Sequence, residues 1–210
     1  MPMFPLGTVL LPGMPLPLRI FEPRYLKLLG DLMGSENPEF GVVLIERGIE
    51  IGGGEKRMDI GTLAAVTNIG TTEEFYGLES VGTQRFKVET WLPDDPYPLA
   101  VIEFIPDLVW DANLLESKIQ LETKVRQLLA FASEFTNLQF GADVVLSDDP
   151  MEACWQLAGI LPIGELDQYD LLSSESAQDL ISKTSQIVST AEQTLHSIMD
   201  QQDNWEIPNA

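Results

Sequence analysis

Phe4-Pro5-Leu6-Gly7-Thr8-Val9-Leu10-Leu11-Pro12-Gly13-Met14-Pro15-Leu16-Pro17-Leu18-Arg19-Ile20-Phe21-Glu22-Pro23-Arg24-Tyr25 decides the fold. The text is apolar but is broken at Pro5, Pro12, Pro15 and Pro17. Proline has no N–H to donate, so such a run makes short strands and turns, not a helix. Arg19, Glu22 and Arg24 are embedded in it. An isolated buried charge is costly, so these three are expected to pair with one another or with backbone carbonyls. Pro23 suits a first helical position. Tyr25, Leu26, Leu28, Leu29, Leu32 and Met33 then repeat at helical spacing until Gly34.

Outward from this stretch the chain keeps a strand character as far as Pro106. Residues 40–45, 61–69, 75–81, 84–92 and 99–105 are rich in Val, Ile, Thr and Phe and are bounded by Gly, Pro or Asp, which predicts strands. Arg85-Phe86-Lys87-Val88-Glu89 alternates polar and apolar, the pattern of a strand with one wet face. Gly52-Gly53-Gly54 is expected to form a flexible turn. A phosphate loop there would need a following Gly-Lys-Ser/Thr, and the sequence has none.

From Asp107 the period becomes 3.6. Leu114, Leu121, Val125, Leu128, Ala132 and Phe135 share one face of a helix of about six turns, with Asp111 or Asn113 as its cap. A shorter helix follows Pro150, capped by Asp149. Pro162-Ile163-Gly164 breaks it, Glu165 to Leu172 makes another, and Ser173 or Ser174 is expected to open the last and longest. Striped helices of this kind pack as a bundle. The reading is α+β, with a β domain over 1–106, a helical bundle over 107–201 and a loose polar tail over 202–210.

The 210 residues carry 12 Lys+Arg, 33 Asp+Glu and one His, a net charge of −21. Residues 1–106 hold 8 basic and 15 acidic side chains, a net of −7, and residues 107–210 hold 4 and 18, a net of −14. Acids on a solvated helical surface account for this plainly, and an electrostatic face for basic partners is the sharper reading. Phosphate binding draws on clustered Lys and Arg, so no nucleic acid and no anionic membrane is expected as a partner. The uncharged first eighteen residues contain five prolines, too many for a spanning or signal helix. With one cysteine, Cys154, the cytoplasm is the expected compartment.

Catalytic chemistry is sparse. His196 is the lone candidate proton shuttle and lies on a helix, where a surface histidine is the simpler reading. No His-Glu-x-x-His or Cys-x-x-Cys occurs, and Asp143, Asp148 and Asp149 lack calcium-loop spacing, so no metal and no cofactor is expected. A Ser–Lys hydrolase would have to use Lys118, Lys124 or Lys183 on helix faces, where lowering a lysine pKa enough is difficult. Cys154 is expected in a core.

The opening stretch resembles the start of the amino-terminal, substrate-binding domain of the ATP-dependent Lon proteases. Phe40-Gly-Val-Val-Leu-Ile45, Asp59-Ile-Gly-Thr-Leu-Ala64, Val81-Gly-Thr-Gln-Arg-Phe-Lys-Val88 and Trp91-Leu-Pro-Asp-Asp-Pro-Tyr-Pro98 resemble the same domain in the same order. The resemblance implies a PUA-like β-pseudobarrel with one short helix, followed by a helical bundle. It also implies recognition without the family's ATPase and peptidase modules. A non-catalytic binder of unfolded or basic polypeptide segments, alone or beside a separate protease, is then the expected function. A hydrolase with an unrecognised site and an RNA-binding PUA-like protein are the alternatives, the latter resting on fold analogy alone and opposed by the charge. Met14, Met33, Phe75 and Tyr76 are candidates for adaptable apolar contact where barrel meets bundle, each with a competing place in the core. Arg19, Glu22, Arg24, Arg85 and Asp95 are the charged candidates for binding or structure. An exposed strand edge accepting a peptide is a further possibility.

Overall fold

The computed structural model describes residues 1–46, 56–71 and 75–203, with the side chains of the last helix described as far as Thr194. The Gly52–Gly54 turn, the His196 side chain and the tail from 204 onward lie outside the described residues.

Six strands form one mixed sheet: β1 (Met3–Leu6), β2 (Pro15–Ile20), β3 (Glu39–Ile45), β4 (Arg57–Thr71), β5 (Tyr76–Leu92) and β6 (Leu99–Phe104). β1 runs parallel to β3, and β3, β4, β5 and β6 follow antiparallel. The sheet then closes on itself. Pro2 bridges to Leu99, the Met1 amino group donates to the Ala100 carbonyl at 2.9 Å, and Met3 N–H donates to Pro98 O at 2.9 Å. Register shifts along β4, β5 and β6 bend the long strands far enough for this closure. This is the pseudobarrel that the PUA-like reading expects.

β5 is one continuous strand, where the sequence predicts two, broken at Gly82-Thr83. Gly82 is not there to turn the chain. A Cβ on it would lie 2.3 Å from Leu11 O, and its own N–H donates to Met14 O at 2.9 Å. The glycine admits a neighbouring backbone and the strand runs straight through. β2 pairs with the first half of β5, from Pro15 opposite Val81 to Ile20 opposite Tyr76.

Met3, Val43, Leu63, Phe86, Val88 and Ala100 fill one buried cluster. Phe86 fits because Gly41 and Gly61 face it: a Cβ on them would sit 2.9 and 2.6 Å from its ring edge. α1 (Pro23–Met33) covers the barrel from outside, burying Tyr25, Leu28, Leu29 and Leu32, and the Tyr25 ring stacks on Phe4 at 3.9 Å.

Strands end at Phe104 and helices follow. Asp111 Oδ1 accepts the Asn113 N–H at 2.9 Å and opens a short 3-10 turn before α2 (Leu115–Ala132). α2 is shorter than predicted. Ser133 turns its hydroxyl onto Ala130 O at 2.7 Å, the helix stops, and Phe135 is 61% exposed instead of lying on the buried face. α3 (Pro150–Gly159) is capped by Asp149, whose Oδ1 accepts the N–H groups of Met151 and Glu152 at 3.0 and 2.8 Å. α4 (Glu165–Leu172) follows. α5 (Ala177–Asp203) starts later than predicted, with Ser176 Oγ accepting the Asp179 N–H at 3.1 Å. Ser173 instead donates to Tyr169 O and closes α4. α5 also runs two residues past 201.

A second, larger buried cluster takes apolar side chains from both halves, Leu10, Leu11 and Met14 together with Cys154, Trp155 and Ala158. Full burial of one such side chain is worth about 1.5–3 kcal/mol, so barrel and bundle hold together over this face.

Candidate functional site

The seam between barrel and bundle is organised by Arg85. Its place on β5 turns the guanidinium toward the α4–α5 link, where Nη1 donates to Leu172 O at 2.8 Å and Ser174 O at 2.6 Å. Nη2 donates to Pro106 O at 3.3 Å, and the group lies 5.2 Å from the Trp155 ring centre. Arg85 is 3% exposed. Burial pulls its pKa below the usual arginine value, partly offset by Asp107. Nearby, the Tyr169 hydroxyl accepts the Ile60 N–H at 3.3 Å. Arg85 is therefore a buried cation that ties three chain segments together.

Met14 is buried as well. It is 7% exposed and occupies the space beside Gly159, where a Cβ would lie 2.6 Å from it. The helix glycine is the socket for the methionine. Met14 belongs to the seam core.

Five of the other candidates converge on one corner of the barrel. Arg19 lies over the Phe75 ring at 5.2 Å, Tyr76 is opposite Ile20, and Arg24 Nε donates to Glu22 Oε2 at 3.0 Å while its guanidinium lies 4.6 Å from the Tyr25 ring. The charges in the apolar stretch thus find partners locally, as their cost requires. Tyr76 is exposed, and so is Phe21, which the sequence reading missed. Its exposure had one signal: it stands between the last strand residue and the Glu22-Pro23 helix start, in neither apolar period. Met33 is exposed at the far end of α1. Asp95 is exposed in the loop between β5 and β6, apart from this corner, while the neighbouring Asp94 accepts from Arg57 at 3.3 Å. In the same loop Tyr97 donates to Asp31 Oδ2 at 2.9 Å. Lys27 and Tyr97 hold the Asp31 carboxyl below its usual value, and burial with Asp31 raises the Tyr97 hydroxyl.

The strand-edge possibility is weakened at β2. Pro15 and Pro17 have no N–H to give an added strand. Among the described residues no three His, Cys, Asp or Glu side chains group as a metal site, and no helix is long and apolar enough to cross a membrane. Burial pushes the Cys154 thiol up to about 11, so it stays a neutral core group.

The family model of the ATP-dependent protease La (LON) substrate-binding domain matches residues 1–190. The chain belongs to this family. Among solved structures, it is similar to a Lon N-terminal domain protein from Xanthomonas campestris, with 25% identity, a TM-score of 0.61, and coverage of 90% of this chain and 96% of that one. It also shares its fold with the N-terminal domain of a Lon protease from the Mycobacterium avium complex, with 12% identity, a TM-score of 0.66, and coverage of 90% and 97%.

In this Lon-domain chain two concave surfaces stand out. One is a groove of about 450 Å³ at the seam, lined by Ile60, Ile105, Leu108, Val109 and the 173–176 link above Arg85. The other, about 690 Å³, lies wholly within the bundle between α2, α4 and α5. The sequence reading looked to the junction of barrel and bundle, where the smaller one lies. It did not foresee the larger one, because a cleft between helices depends on how far each helix extends, and α2 stops early.

Proposed function

We propose that this chain is a non-catalytic module that binds polypeptide segments of other proteins, acting beside a separate protease. Membership of the Lon substrate-binding family over residues 1–190 carries the reading. Exposed apolar side chains at the barrel corner and two clefts of the size that takes side chains supply the physical means. Two of the three lysines that a Ser–Lys hydrolase would draw on are engaged elsewhere: Lys118 pairs with Glu122 at 2.9 Å and Lys183 with Asp170 at 3.0 Å. An unpaired buried thiol suits the reducing cytoplasm. The test is a pull-down with casein, whose chains are unfolded, at low and high salt, with intact casein followed on a gel. Capture without cleavage is expected, and no capture at low salt overturns the proposal.

A further inference from the structure

The bundle groove has a floor and a rim of different chemistry. Leu128, Ala132, Ile163, Ile187 and Ala191 make the floor, and Asp167 stands at the rim. The lining lysine, Lys183, is already held by Asp170 and Asp179 at 3.0 and 3.5 Å. The Asp167 side chain is exposed and has no hydrogen bond or ion pair among the described residues. Glu134, Glu165 and Glu192 stand within two residues of lining positions. Leu166 and Phe135, 67% and 61% exposed, extend the apolar surface beside positions 167 and 136.

Resting on the reading of the chain as a polypeptide binder, we propose that this groove is the client site, and that it takes a segment carrying apolar side chains interleaved with Lys or Arg. The floor supplies affinity by removing apolar surface from water. The rim supplies choice of sign: a cation beside Asp167 gains a partner, whereas an acidic segment meets a half-chain of net charge −14. The seam groove fits this occupant less well, because its buried cation, Arg85, lies at the base and its donors are taken by backbone carbonyls.

The experiment is fluorescence anisotropy of three labelled twelve-residue peptides on the full chain: alternating Leu/Lys, Leu/Glu and Ser/Lys. The Leu/Lys peptide should bind at least about tenfold more tightly than either other, with affinity falling as salt rises. Ala191→Trp, which fills the floor, should weaken it about tenfold. Asp167→Lys, at an exposed position that leaves the core alone, should weaken Leu/Lys binding several-fold and flatten its salt dependence. Equal binding of Ser/Lys means plain charge attraction and overturns the proposal. So does unchanged Leu/Lys binding in Asp167→Lys or in a folded Ala191→Trp. Concentration-dependent dimerisation in sedimentation that Ala191→Trp abolishes assigns the groove to a second copy and also overturns it. Casein capture that survives both variants leaves the polypeptide-binding reading standing on another surface, whereas no casein capture by the unaltered chain removes that reading itself.

Discussion

Barrel and bundle solve the same problem, burying apolar surface, with different tolerances. The barrel is closed by backbone hydrogen bonds from β1 round to β6, and its interior depends on glycines at which one methyl group would collide with a ring. The bundle packs side chain on side chain, and its helices differ in length, which leaves a groove. A surface meant to accept varied segments belongs where packing has slack. A scaffold belongs where it has none. The charge follows the same division, −7 against −14.

The sharpest way to break this contrast is at the seam both halves share. Arg85→Met keeps an unbranched apolar stem and removes the donors for Leu172 O, Ser174 O and Pro106 O. Each buried acceptor left without a donor costs about 1–3 kcal/mol. We expect a loss of about 3 kcal/mol or more in urea unfolding followed by tryptophan fluorescence. A loss under about 1 kcal/mol would mean that the apolar seam alone joins the two halves.

Next in size is Gly61→Ala. Its Cβ would fall 2.2 Å from Val42 O and 2.6 Å from Phe86 Cζ, and neither backbone nor a fully buried ring can retreat. Overpacking of this kind costs about 1–3 kcal/mol. Gly30→Ala is the counterpart with the opposite sign. It lies inside α1 with nothing within 4 Å of the added Cβ. Helix propensity then predicts a gain of about 0.5–1 kcal/mol. Equal losses at both positions, measured as shifts of the unfolding midpoint, would erase the claimed difference between barrel interior and outer helix.

The sequence showed which residues are strands and helices where period and caps agree. Asp149 and Asp111 cap as their side chains allow, and Pro23 starts α1 where a missing N–H is harmless. Two readings went astray for one physical reason: long-range contact overrides a local pattern. Gly82 looks like a turn until Leu11 is known to cross it. Arg85, Lys87 and Glu89 share the wet face of β5, and Lys87 and Glu89 are exposed as that pattern says. Arg85 is not, because the α4–α5 link, 87 and 89 residues further on at its two closest acceptors, covers that end of the strand. No local period carries that information. The same holds for the bundle groove.

The smallest effect tests the electrostatic half of the contrast. In the bundle Glu122 accepts from Lys118 and Arg126, both at 2.9 Å, and these cations, Lys118 first, hold its carboxyl below the usual 4.5. A depressed carboxyl stabilises the fold above its unfolded value and loses that contribution as pH falls through its folded value. Glu122→Gln should therefore lower stability by less than about 1 kcal/mol near neutral pH, and less again in high salt. As pH falls below 4.5 the difference from the unaltered chain should shrink. Comparing the two proteins at each pH cancels the relief of general repulsion that any chain of net charge −21 feels on acidification. A loss that stayed constant with pH would assign the role of Glu122 to its methylene packing. The acidic character of the bundle would then bear on partner choice alone and not on how the helices are held.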